Sequence, residues 1–278
     1  MQTVAIAGCG WLGLALAQRL QLQGWAVRGC SRKAEILTQL AQGGIPSTYL
    51  DLGEQLSCAK PSVLFDAQTL IINIPPGRHH QESSYAQRIG LLARAAQQAG
   101  IAQAVFISST AVYQDDPAAS WCDEQAALSR ESRAEMMLAA EACVKHHFEH
   151  WSILRCAGLV GGERHPGRFL AGRSGLAGAN CPVNLVHRED VIGAIQCVIE
   201  RGCWGAIYNV AAPIHPPKGE YYPAAARALG LAAPSFSSVL GVGKRISSAK
   251  LMDELGFVFR YPDPLIMPPL CEHDVSGG

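Results

Sequence analysis

Val4-Ala5-Ile6-Ala7-Gly8-Cys9-Gly10-Trp11-Leu12-Gly13, near the start of a chain of 278 residues, decides the fold. A short apolar run leads into glycines spaced Gly-x-Gly-x-x-Gly, and from Leu12 to Gln23 apolar residues recur at helical spacing. A strand, a glycine turn and a helix in this order are typical of the loop that holds the pyrophosphate of a dinucleotide. The alternative is a glycine turn of an α/β protein that binds nothing.

The three glycines have different expected roles in such a loop. Gly8 permits the tight turn, Gly10 lets the pyrophosphate approach the backbone, and Gly13 lets the helix pack closely on the strand. The phosphates would then lie at the helix N-terminus, where free N–H groups and the helix dipole favour an anion. The predicted phosphate loop is completed by Cys9, Trp11 and Leu12.

The second predicted strand, Trp25–Cys30, ends at Ser31-Arg32-Lys33, where a dinucleotide fold places the residue that selects the ribose. NAD-binding proteins have an Asp or Glu there, but the first carboxylate here is Glu35. A hydroxyl and two cations suit a 2′-phosphate, so the sequence favours NADP(H), with NAD(H) as the alternative. Both cations equally suit the start of a solvated helix. Asp51, after the short strand Ser47–Leu50, either reaches the adenosine or is a loop carboxylate without a role.

Apolar runs alternate with helical periodicity over the first half of the chain. Thr69–Ile74 is a nearly continuous apolar run, typical of a parallel strand buried on both faces, and Ala104–Ile107 is the next strand. The alternation predicts an α/β fold with a doubly wound parallel Rossmann sheet and right-handed crossovers. Ile74 and Pro75 after the first strand, and Ser108 after the second, are expected at the cofactor crevice.

The second half of the chain is less regular. Residues 158–180 hold seven glycines with little periodicity, whereas 183–187 and the helix 190–200 predict a return to the sheet and 206–210 predicts one more strand. We therefore predict a Rossmann domain over residues 1–157, its sheet completed by about 183–212, and a small C-terminal α/β substrate lobe over 158–278. Further helices are predicted at 34–42, 85–98, 129–147, 222–229 and 248–255.

The composition argues against several classes of protein. The formal net charge is zero, whereas proteins that bind nucleic acids or membrane surfaces usually carry a basic excess, so neither partner is expected. No apolar run approaches the ~20 residues that span a bilayer. The ten cysteines include no Cys-x-x-Cys pair and no zinc-site spacing, so we expect reduced thiols, a cytoplasmic location and no metal.

The glycine motif is followed by further motifs that extend over almost the whole chain. They are Phe106-Ile107-Ser108-Ser109-Thr110-Ala111-Val112-Tyr113, Ile153-Leu154-Arg155, Gly158-Leu159-Val160-Gly161, Asn184-Leu185-Val186-His187-Arg188-Glu189-Asp190-Val191 and Lys250-Leu251-Met252-Asp253-Glu254-Leu255-Gly256-Phe257. In this order they resemble the extended short-chain dehydrogenase/reductase family, in its NAD-dependent epimerase/dehydratase branch. Residues 158–161, 164–169 and 261–264 also resemble a narrower group, the bacterial YeeZ-like proteins, which are atypical members of the family.

The resemblance implies hydride transfer between a substrate and a nicotinamide, assisted by a serine and a Tyr-x-x-x-Lys pair. Ser109 matches the serine. When the helix is anchored on Glu141, Arg133 and Met137 stand at the tyrosine and lysine positions, and no Tyr-x-x-x-Lys occurs elsewhere. Arginine stays protonated at any useful pH and a thioether tunes no neighbouring pKa, so the usual mechanism cannot operate. Tyr113 is the nearby phenol that is a candidate substitute.

Candidate substrate-binding residues follow from the same resemblance. Arg164, His165 and Arg168 lie in the glycine-rich insert, where the family has its substrate lobe, and would suit a phosphate or carboxylate. The alternative is a solvated loop. His187 precedes Asp190 at the end of a strand, where the family often places a substrate-facing residue, although a helix-capping network explains Asp190 as well. Arg133 either pairs with a substrate anion or bridges to a glutamate on the helix surface.

Two functions are open on the sequence alone. The first is an NADP(H)-linked reductase, dehydrogenase or epimerase that acts on a small polar or sugar-nucleotide-like substrate through Ser109, with Tyr113 as a further candidate. The second is an NADP(H)-binding redox sensor or regulatory protein without turnover, which the loss of Tyr-x-x-x-Lys favours. Members of the family often dimerise through a helix bundle that would include residues 129–147, so a homodimer is the assembly that the resemblance implies.

Overall fold

The structure is a computed structural model that describes residues 2–77 and 82–267. Its strands are β1 (Thr3–Ala7), β2 (Ala26–Ser31), β3 (Ser47–Leu52), β4 (Leu56–Cys58), β5 (Thr69–Ile72), β6 (Gln103–Ser109), β7 (Trp121–Cys122), β8 (His150–Cys156), β9 (Gly158–Val160), β10 (Leu185–His187), β11 (Ala206–Val210) and β12 (Arg245–Ile246). Its helices are α1 (Trp11–Leu22), α2 (Ala34–Gln42), α3 (Pro61–Leu64), α4 (Glu82–Gln98), α5 (Ser132–His147), α6 (Gly167–Leu170), α7 (Arg188–Arg201), α8 (Lys218–Ala228) and α9 (Ala249–Leu255), with 3₁₀ turns at Thr110–Val112 and Pro264–Ile266. Crossing a membrane would take a longer and more apolar helix than any of those described.

Eight strands form one central sheet in the order β4-β3-β2-β1-β5-β6-β8-β11. β1 pairs in parallel with β2 and β5, β2 with β3, and β5 with β6, whereas β4 is antiparallel to β3. In this Rossmann arrangement the strand order reverses between β1 and β5, and ligands bind at the carboxyl ends of the strands next to that point. The predicted α/β fold with a largely parallel Rossmann sheet is confirmed.

The two central strands are buried on both faces, as their continuous apolar sequences predict. Residues 4–7 of β1 and 70–72 of β5 have no exposed surface. Leu12, Leu16 and Leu20 form a buried stripe along α1 at helical spacing. Because burial of each leucine contributes about 1.5–3 kcal/mol, this stripe holds α1 against the sheet with its N-terminus at the glycine loop.

The prediction that residues 183–187 return to the central sheet is wrong. β10 pairs in parallel with β9, in a separate two-stranded sheet. The Gly158 N–H donates to the Asn184 carbonyl at 3.1 Å, which extends the pairing of the two short strands. Of the region around 183–212, β11 is the strand that joins the central sheet.

The elements that the sequence did not predict are all short. They are β4, β7, β9, β12, α3 and α6, of two to four residues each. A period of two or of 3.6 residues needs a longer window to be recognised, so these elements carry no periodic signal.

Chain contacts divide the molecule into two units. Unit one contains the described parts of Met1–Val112, Arg130–Leu154 and Gly202–Ile207, and unit two those of Tyr113–Ser129, Arg155–Arg201 and Tyr208–Gly278. The predicted division at residue 157 lies close to the crossing after Leu154, whereas the segment 113–129 belongs to unit two.

Candidate cofactor and substrate sites

The glycine loop after β1 has the geometry that its sequence predicts. Gly8 has a φ of +103°, and a Cβ there would lie 2.5 Å from the carbonyl oxygen of Asn73. A Cβ on Gly13 would collide with the carbonyl oxygen of Gly8. Around Gly10, by contrast, a Cβ would meet nothing within 4 Å. The first and third glycines are therefore required by the protein itself, and the second leaves an open approach to the backbone.

Asn73, at the end of β5, holds this loop in place. Its Nδ2 donates a hydrogen bond to the Gly8 carbonyl at 3.0 Å, and its backbone N–H donates to the Ala7 carbonyl at 2.8 Å. Gly10 is the N-cap of α1 and no side chain caps this helix end. The start of α1 therefore presents a helix N-terminus that an anion can approach.

The predicted loop residues contribute through their backbone. Cys9 is 1% exposed and its thiol donates to the Ile6 carbonyl at 3.6 Å. Burial raises the pKa of the Cys9 thiol to about 12, so the thiol is inert at neutral pH. Leu12 is likewise buried in the core beneath α1, and Trp11 is half-buried.

The predicted ribose-selecting residues lie together at the surface. Nη1 of Arg32 is 3.4 Å from Oδ1 of Asp51, and Nζ of Lys33 is 3.7 Å from Oε1 of Glu35. The hydroxyl of Ser31 accepts a hydrogen bond from the Lys33 N–H at 3.2 Å. Exposed ion pairs of this kind contribute only about 0–1 kcal/mol, so a phosphate dianion can displace the carboxylates.

The segment Ile74–Pro76, which follows β5, is held by two residues that were not predicted from the sequence as site residues. The Tyr85 hydroxyl donates to the Ile74 carbonyl at 2.7 Å, and Nη2 of Arg88 donates to the Pro76 carbonyl at 2.7 Å. Both side chains are almost fully buried, and burial lowers the pKa of Arg88. They lie on α4, so that helix anchors the predicted cofactor-binding residues Ile74 and Pro75.

The two serines at the end of β6 have different environments. Ser108 is buried, and its hydroxyl donates to Oε1 of Glu141 at 2.6 Å. This bond ties β6 to α5 and occupies the hydroxyl that we expected near the cofactor. Ser109 is half-buried, and its oxygen accepts a hydrogen bond from the Ala111 N–H at 3.1 Å. The Ser109 hydroxyl can therefore still act as a donor. Ser109 is therefore the better placed of the two to donate to a ligand.

The helix α5 has no acid–base pair at the positions where the family has one. Arg133 is exposed, and Met137 is buried with 5% of its surface accessible. A buried thioether offers no charge, so nothing at this position lowers the pKa of a neighbouring group.

Tyr113, the candidate substitute, belongs to a buried network of unit two. Its hydroxyl donates to Oδ1 of Asn209 at 2.7 Å and accepts from Nη1 of Arg155 at 3.0 Å. The ring is 1% exposed, and burial raises the pKa of the hydroxyl to about 12. This geometry favours a structural role for Tyr113 over the catalytic role that the sequence suggested.

Unit two contains a pocket of about 190 Å³ that brings together two of the predicted substrate residues. His165 and His187 both line it, together with Tyr221 and alanines of α8. Arg168, which the sequence grouped with His165, is exposed and does not line the pocket. The predicted cluster of His165 with two arginines is therefore not found in the lining of this pocket.

The two histidines of this pocket share one tautomer. Nδ1 of His165 accepts from the Gly167 N–H at 2.9 Å, and Nδ1 of His187 accepts from the Glu189 N–H at 3.2 Å. In each neutral ring the proton is therefore on Nε2. Burial, and then the nearby charge of Arg168, lowers the pKa of His165, which keeps this ring neutral at physiological pH.

Asp190, next to the predicted His187, anchors the C-terminal part of unit two. Its carboxylate accepts from the N–H groups of Arg260 and Tyr261, at 2.7 and 3.2 Å. The Tyr261 ring in turn packs on the His187 ring, with centroids 4.1 Å apart. Among the described residues, no group of three or more His, Cys, Asp or Glu side chains is arranged to hold a metal ion.

Comparison with known proteins agrees with this geometry. Residues 8–196 match a family described as NAD(P)H-binding. The chain is 38% identical to protein YeeZ of Escherichia coli K12 over 282 aligned positions, which cover 96% of this chain and 99% of YeeZ. UDP-N-acetylglucosamine 4-epimerase from Bacillus cereus has a similar fold, with a TM-score of 0.74, 16% identity and coverage of 94% of this chain and 95% of the epimerase.

UDP-glucose 4-epimerase of Thermus thermophilus, solved as a complex with NAD, gives the same TM-score of 0.74 at 18% identity, with 94% of each chain covered. At this level of identity the two epimerases establish the fold alone. The sequence match to the NAD(P)H-binding family covers more than half of the chain and includes the glycine loop described above. The resemblance that the sequence motifs indicated is thus confirmed: the chain belongs to the NAD(P)H-binding family, is a relative of protein YeeZ, and has the fold of the NAD-dependent epimerases and dehydratases.

Proposed function

We propose that the protein is an NADP(H)-linked oxidoreductase or epimerase that acts on a small polar molecule without a Tyr-x-x-x-Lys pair. The observation that carries this proposal is the glycine loop at the point where the strand order reverses. Gly8 and Gly13 have no room for a side chain, whereas Gly10 faces open space beside the uncapped start of α1. Such a loop accepts the pyrophosphate of a dinucleotide by backbone N–H groups and helix dipole.

The preference for NADP(H) rests on the end of β2. Arg32 and Lys33 are exposed there, and each has a carboxylate within 4 Å that a phosphate can replace. The Arg32 guanidinium offers a planar fork of donors, which matches phosphate oxygens. Ser31 adds a hydroxyl on the same segment. Glu35, the nearest carboxylate along the chain, is paired with Lys33 and not with Arg32. It therefore does not compete with the phosphate for the Arg32 guanidinium.

The chemistry assigned to the protein's own residues is limited to positioning and polarisation. When bound, the nicotinamide supplies or accepts the hydride. The Ser109 hydroxyl donates a hydrogen bond to the substrate oxygen and so polarises it. The proton that a reduction consumes comes from solvent, because neither Met137 nor Arg133 can deliver it. The predicted residues His165 and His187 line a pocket that belongs to unit two alone.

The second candidate is an NADP(H)-binding sensor or regulatory protein without turnover. The observation in its favour is the state of Tyr113, whose hydroxyl is held by Arg155 and Asn209 and has a raised pKa. With Met137 at the lysine position, nothing in the described chain replaces the acid–base pair of the family.

Cofactor titration followed by a turnover assay separates the two candidates. NADPH and NADH binding are measured by nicotinamide fluorescence, and oxidation is then followed by absorbance against small carbonyl compounds and sugar nucleotides. Turnover that falls about 100-fold in Ser109→Ala, with unchanged NADPH affinity and unchanged rate in Tyr113→Phe, supports the enzyme. Tight NADPH binding without turnover across the panel supports the sensor. Failure to bind either nucleotide contradicts both.

A further inference from the structure

The pocket of unit two is mostly apolar, and three of the described side chains that line it carry polar groups. Val160, Pro166 and Leu265 supply apolar wall, and Ala224 and Ala228 supply small side chains from one face of α8. The polar contributions come from the rings of His165, His187 and Tyr221. A concave apolar site with a few convergent polar groups is the usual form of a small-molecule site.

Two of these side chains have a hydrogen-bond donor that the protein does not use. His165 is 7% exposed, and within the described chain its ring makes one hydrogen bond, through Nδ1 to the Gly167 N–H, so Nε2–H is left over. Tyr221 is 5% exposed, and across the described residues its hydroxyl has no hydrogen-bond partner. Neither donor atom is among the fully buried unpaired side-chain atoms of the described residues, and both residues line the pocket, so both donors are available to an acceptor that enters it.

The surroundings fix both donors rigidly. The Tyr221 ring packs into an apolar cluster with Val160, Val183 and Leu185, and stacks edge-on against Tyr222 at 5.4 Å between centroids. A Cβ on Gly167 would collide with the backbone of α8, which holds the His165 loop against that helix. Donors held in place in this way need little reorganisation when a ligand binds.

The size of the pocket limits the ligand. At about 190 Å³ it is slightly larger than the cavity of about 150 Å³ that holds a benzene molecule in an engineered protein. By the same scaling it accommodates about seven or eight non-hydrogen atoms. A nucleoside is about twice this size and a sugar nucleotide is several times larger.

The charge of the pocket limits the ligand further. Arg164 and Arg168 are exposed and line no part of it. The donors that remain are neutral, since burial lowers the pKa of His165 and raises that of Tyr221. The Arg168 charge that acts on His165 comes from outside the lining, so an anion that entered would lose its hydration without a direct ion pair, whereas an uncharged acceptor would lose far less.

We propose that this pocket binds a compact, uncharged carbonyl compound whose oxygen accepts hydrogen bonds from Nε2 of His165 and the hydroxyl of Tyr221. This binding goes beyond the proposed function, in which Ser109 of unit one polarises the substrate. The binding itself involves unit two alone and requires no cofactor.

Cyclohexanone is a suitable probe, because its ring fits the volume and it has one carbonyl oxygen. Its binding to the full chain is titrated by saturation-transfer NMR without nucleotide, beside methylenecyclohexane, which has the same shape without an acceptor, and cyclohexanecarboxylate, which is an anion. We expect cyclohexanone to bind with a Kd on the order of 1 mM. Both comparison compounds should bind at least about fivefold more weakly.

Variants of the two donors test the assigned contacts. Tyr221→Phe removes only the unused hydroxyl, so it should weaken cyclohexanone binding about two- to tenfold while the melting temperature is maintained. His165→Asn keeps an acceptor for the Gly167 N–H and removes the Nε2 donor, with the same expected loss. Ala224→Leu fills the pocket and should abolish binding, whereas Arg227→Ala, an exposed change on the same helix, should leave it unchanged.

Each outcome decides the proposal. Equal binding of cyclohexanone and methylenecyclohexane would show an apolar pocket without a carbonyl preference, and tighter binding of the carboxylate would show an anion site. Either result, or no binding at all, overturns the inference. NADPH is titrated on the same preparation. Cyclohexanone binding without NADPH binding supports the pocket and contradicts the proposed function. NADPH binding without cyclohexanone binding contradicts the pocket alone.

Discussion

Arg32→Ala should remove most of the preference of the protein for NADPH over NADH. The Arg32 side chain is 66% exposed, and its guanidinium is 3.4 Å from the Asp51 carboxylate. In water, two unit charges 4 Å apart attract each other by about 1 kcal/mol, and a phosphate monoester carries about 1.5–2 negative charges at neutral pH. Arg32 therefore contributes about 1.5–2 kcal/mol to binding of the 2′-phosphate.

The Asp51 carboxylate reduces this gain, because the phosphate must displace it. An exposed pair of this kind is worth at most about 1 kcal/mol, which leaves a net contribution of about 1 kcal/mol. Arg32→Ala should then weaken NADPH about fivefold and leave NADH unchanged. Asp51→Asn removes the competing carboxylate and should strengthen NADPH by up to about fivefold.

Nicotinamide fluorescence titrations at 50 mM and 500 mM salt measure both constants. The difference between wild type and Arg32→Ala should shrink at the higher salt, because exposed charges are screened there. Arg28→Ala is the matched control, since Arg28 lies on the same strand but pairs with Asp66 at 2.9 Å. Equal losses of NADPH and NADH in Arg32→Ala, or a loss that ignores salt, would refute the assignment of the 2′-phosphate to β2.

Three further predictions concern the glycine loop, the buried phenol and the pocket histidine. Gly10→Ala should keep the thermal stability of the fold and abolish NADPH binding, because its Cβ occupies only the space of the pyrophosphate, whereas Gly13→Ala should also lower stability by about 1–3 kcal/mol through its collision with the loop backbone. A Gly10→Ala protein that binds NADPH normally would contradict the assigned loop. Tyr113→Phe should lower the free energy of unfolding by about 1–3 kcal/mol, since it removes the hydrogen bond to the Asn209 amide oxygen and the one from Arg155, while NADPH affinity stays the same. Urea unfolding measures this loss, and an unchanged midpoint would remove Tyr113 from the supporting network. Because the folded state lowers the pKa of His165 below 6.5, the unfolded chain binds more protons below that pH, so stability should fall as the pH drops through about 6.5, and less steeply in His165→Asn. Identical pH slopes for the two proteins, from thermal melts between pH 5 and 8, would show that this ring is not desolvated.

The features that the sequence predicted are those governed by local rules. The helix predicted at 34–42 and the strand predicted at 206–210 have those bounds in the structure, because both segments have clear periodicity and flanking glycines. The roles of Gly8 and Gly13 were also predictable, since a positive φ and a close approach each demand a residue without a Cβ.

The features that the sequence could not predict depend on partners far apart in the chain. Asn73 supports Gly8 across 65 residues, and Ser108 bonds to Glu141 across 33. A polar residue at the end of a buried strand indicates a site, but its partner is set by how the strands and helices pack. The same holds for β10. Its three residues are equally compatible with pairing in the central sheet or in a separate one, and in the structure they pair with β9.

In this chain the glycine loop matches the pattern of the resemblance, whereas no Tyr-x-x-x-Lys pair is present in the sequence. The phosphate loop keeps each residue that its backbone geometry demands. Tyr113, the candidate substitute for that pair, has a pKa of about 12, so roughly one molecule in 10⁵ has an ionised phenol at pH 7. To generate the Tyr113 phenolate as a general base at pH 7 would therefore cost about 7 kcal/mol. The Tyr113 hydroxyl would also have to give up its hydrogen bonds to Asn209 and from Arg155. A reaction that uses this fold must therefore polarise its substrate without a phenolate, which is why the half-buried hydroxyl of Ser109, rather than the buried one of Tyr113, is where chemistry should be sought.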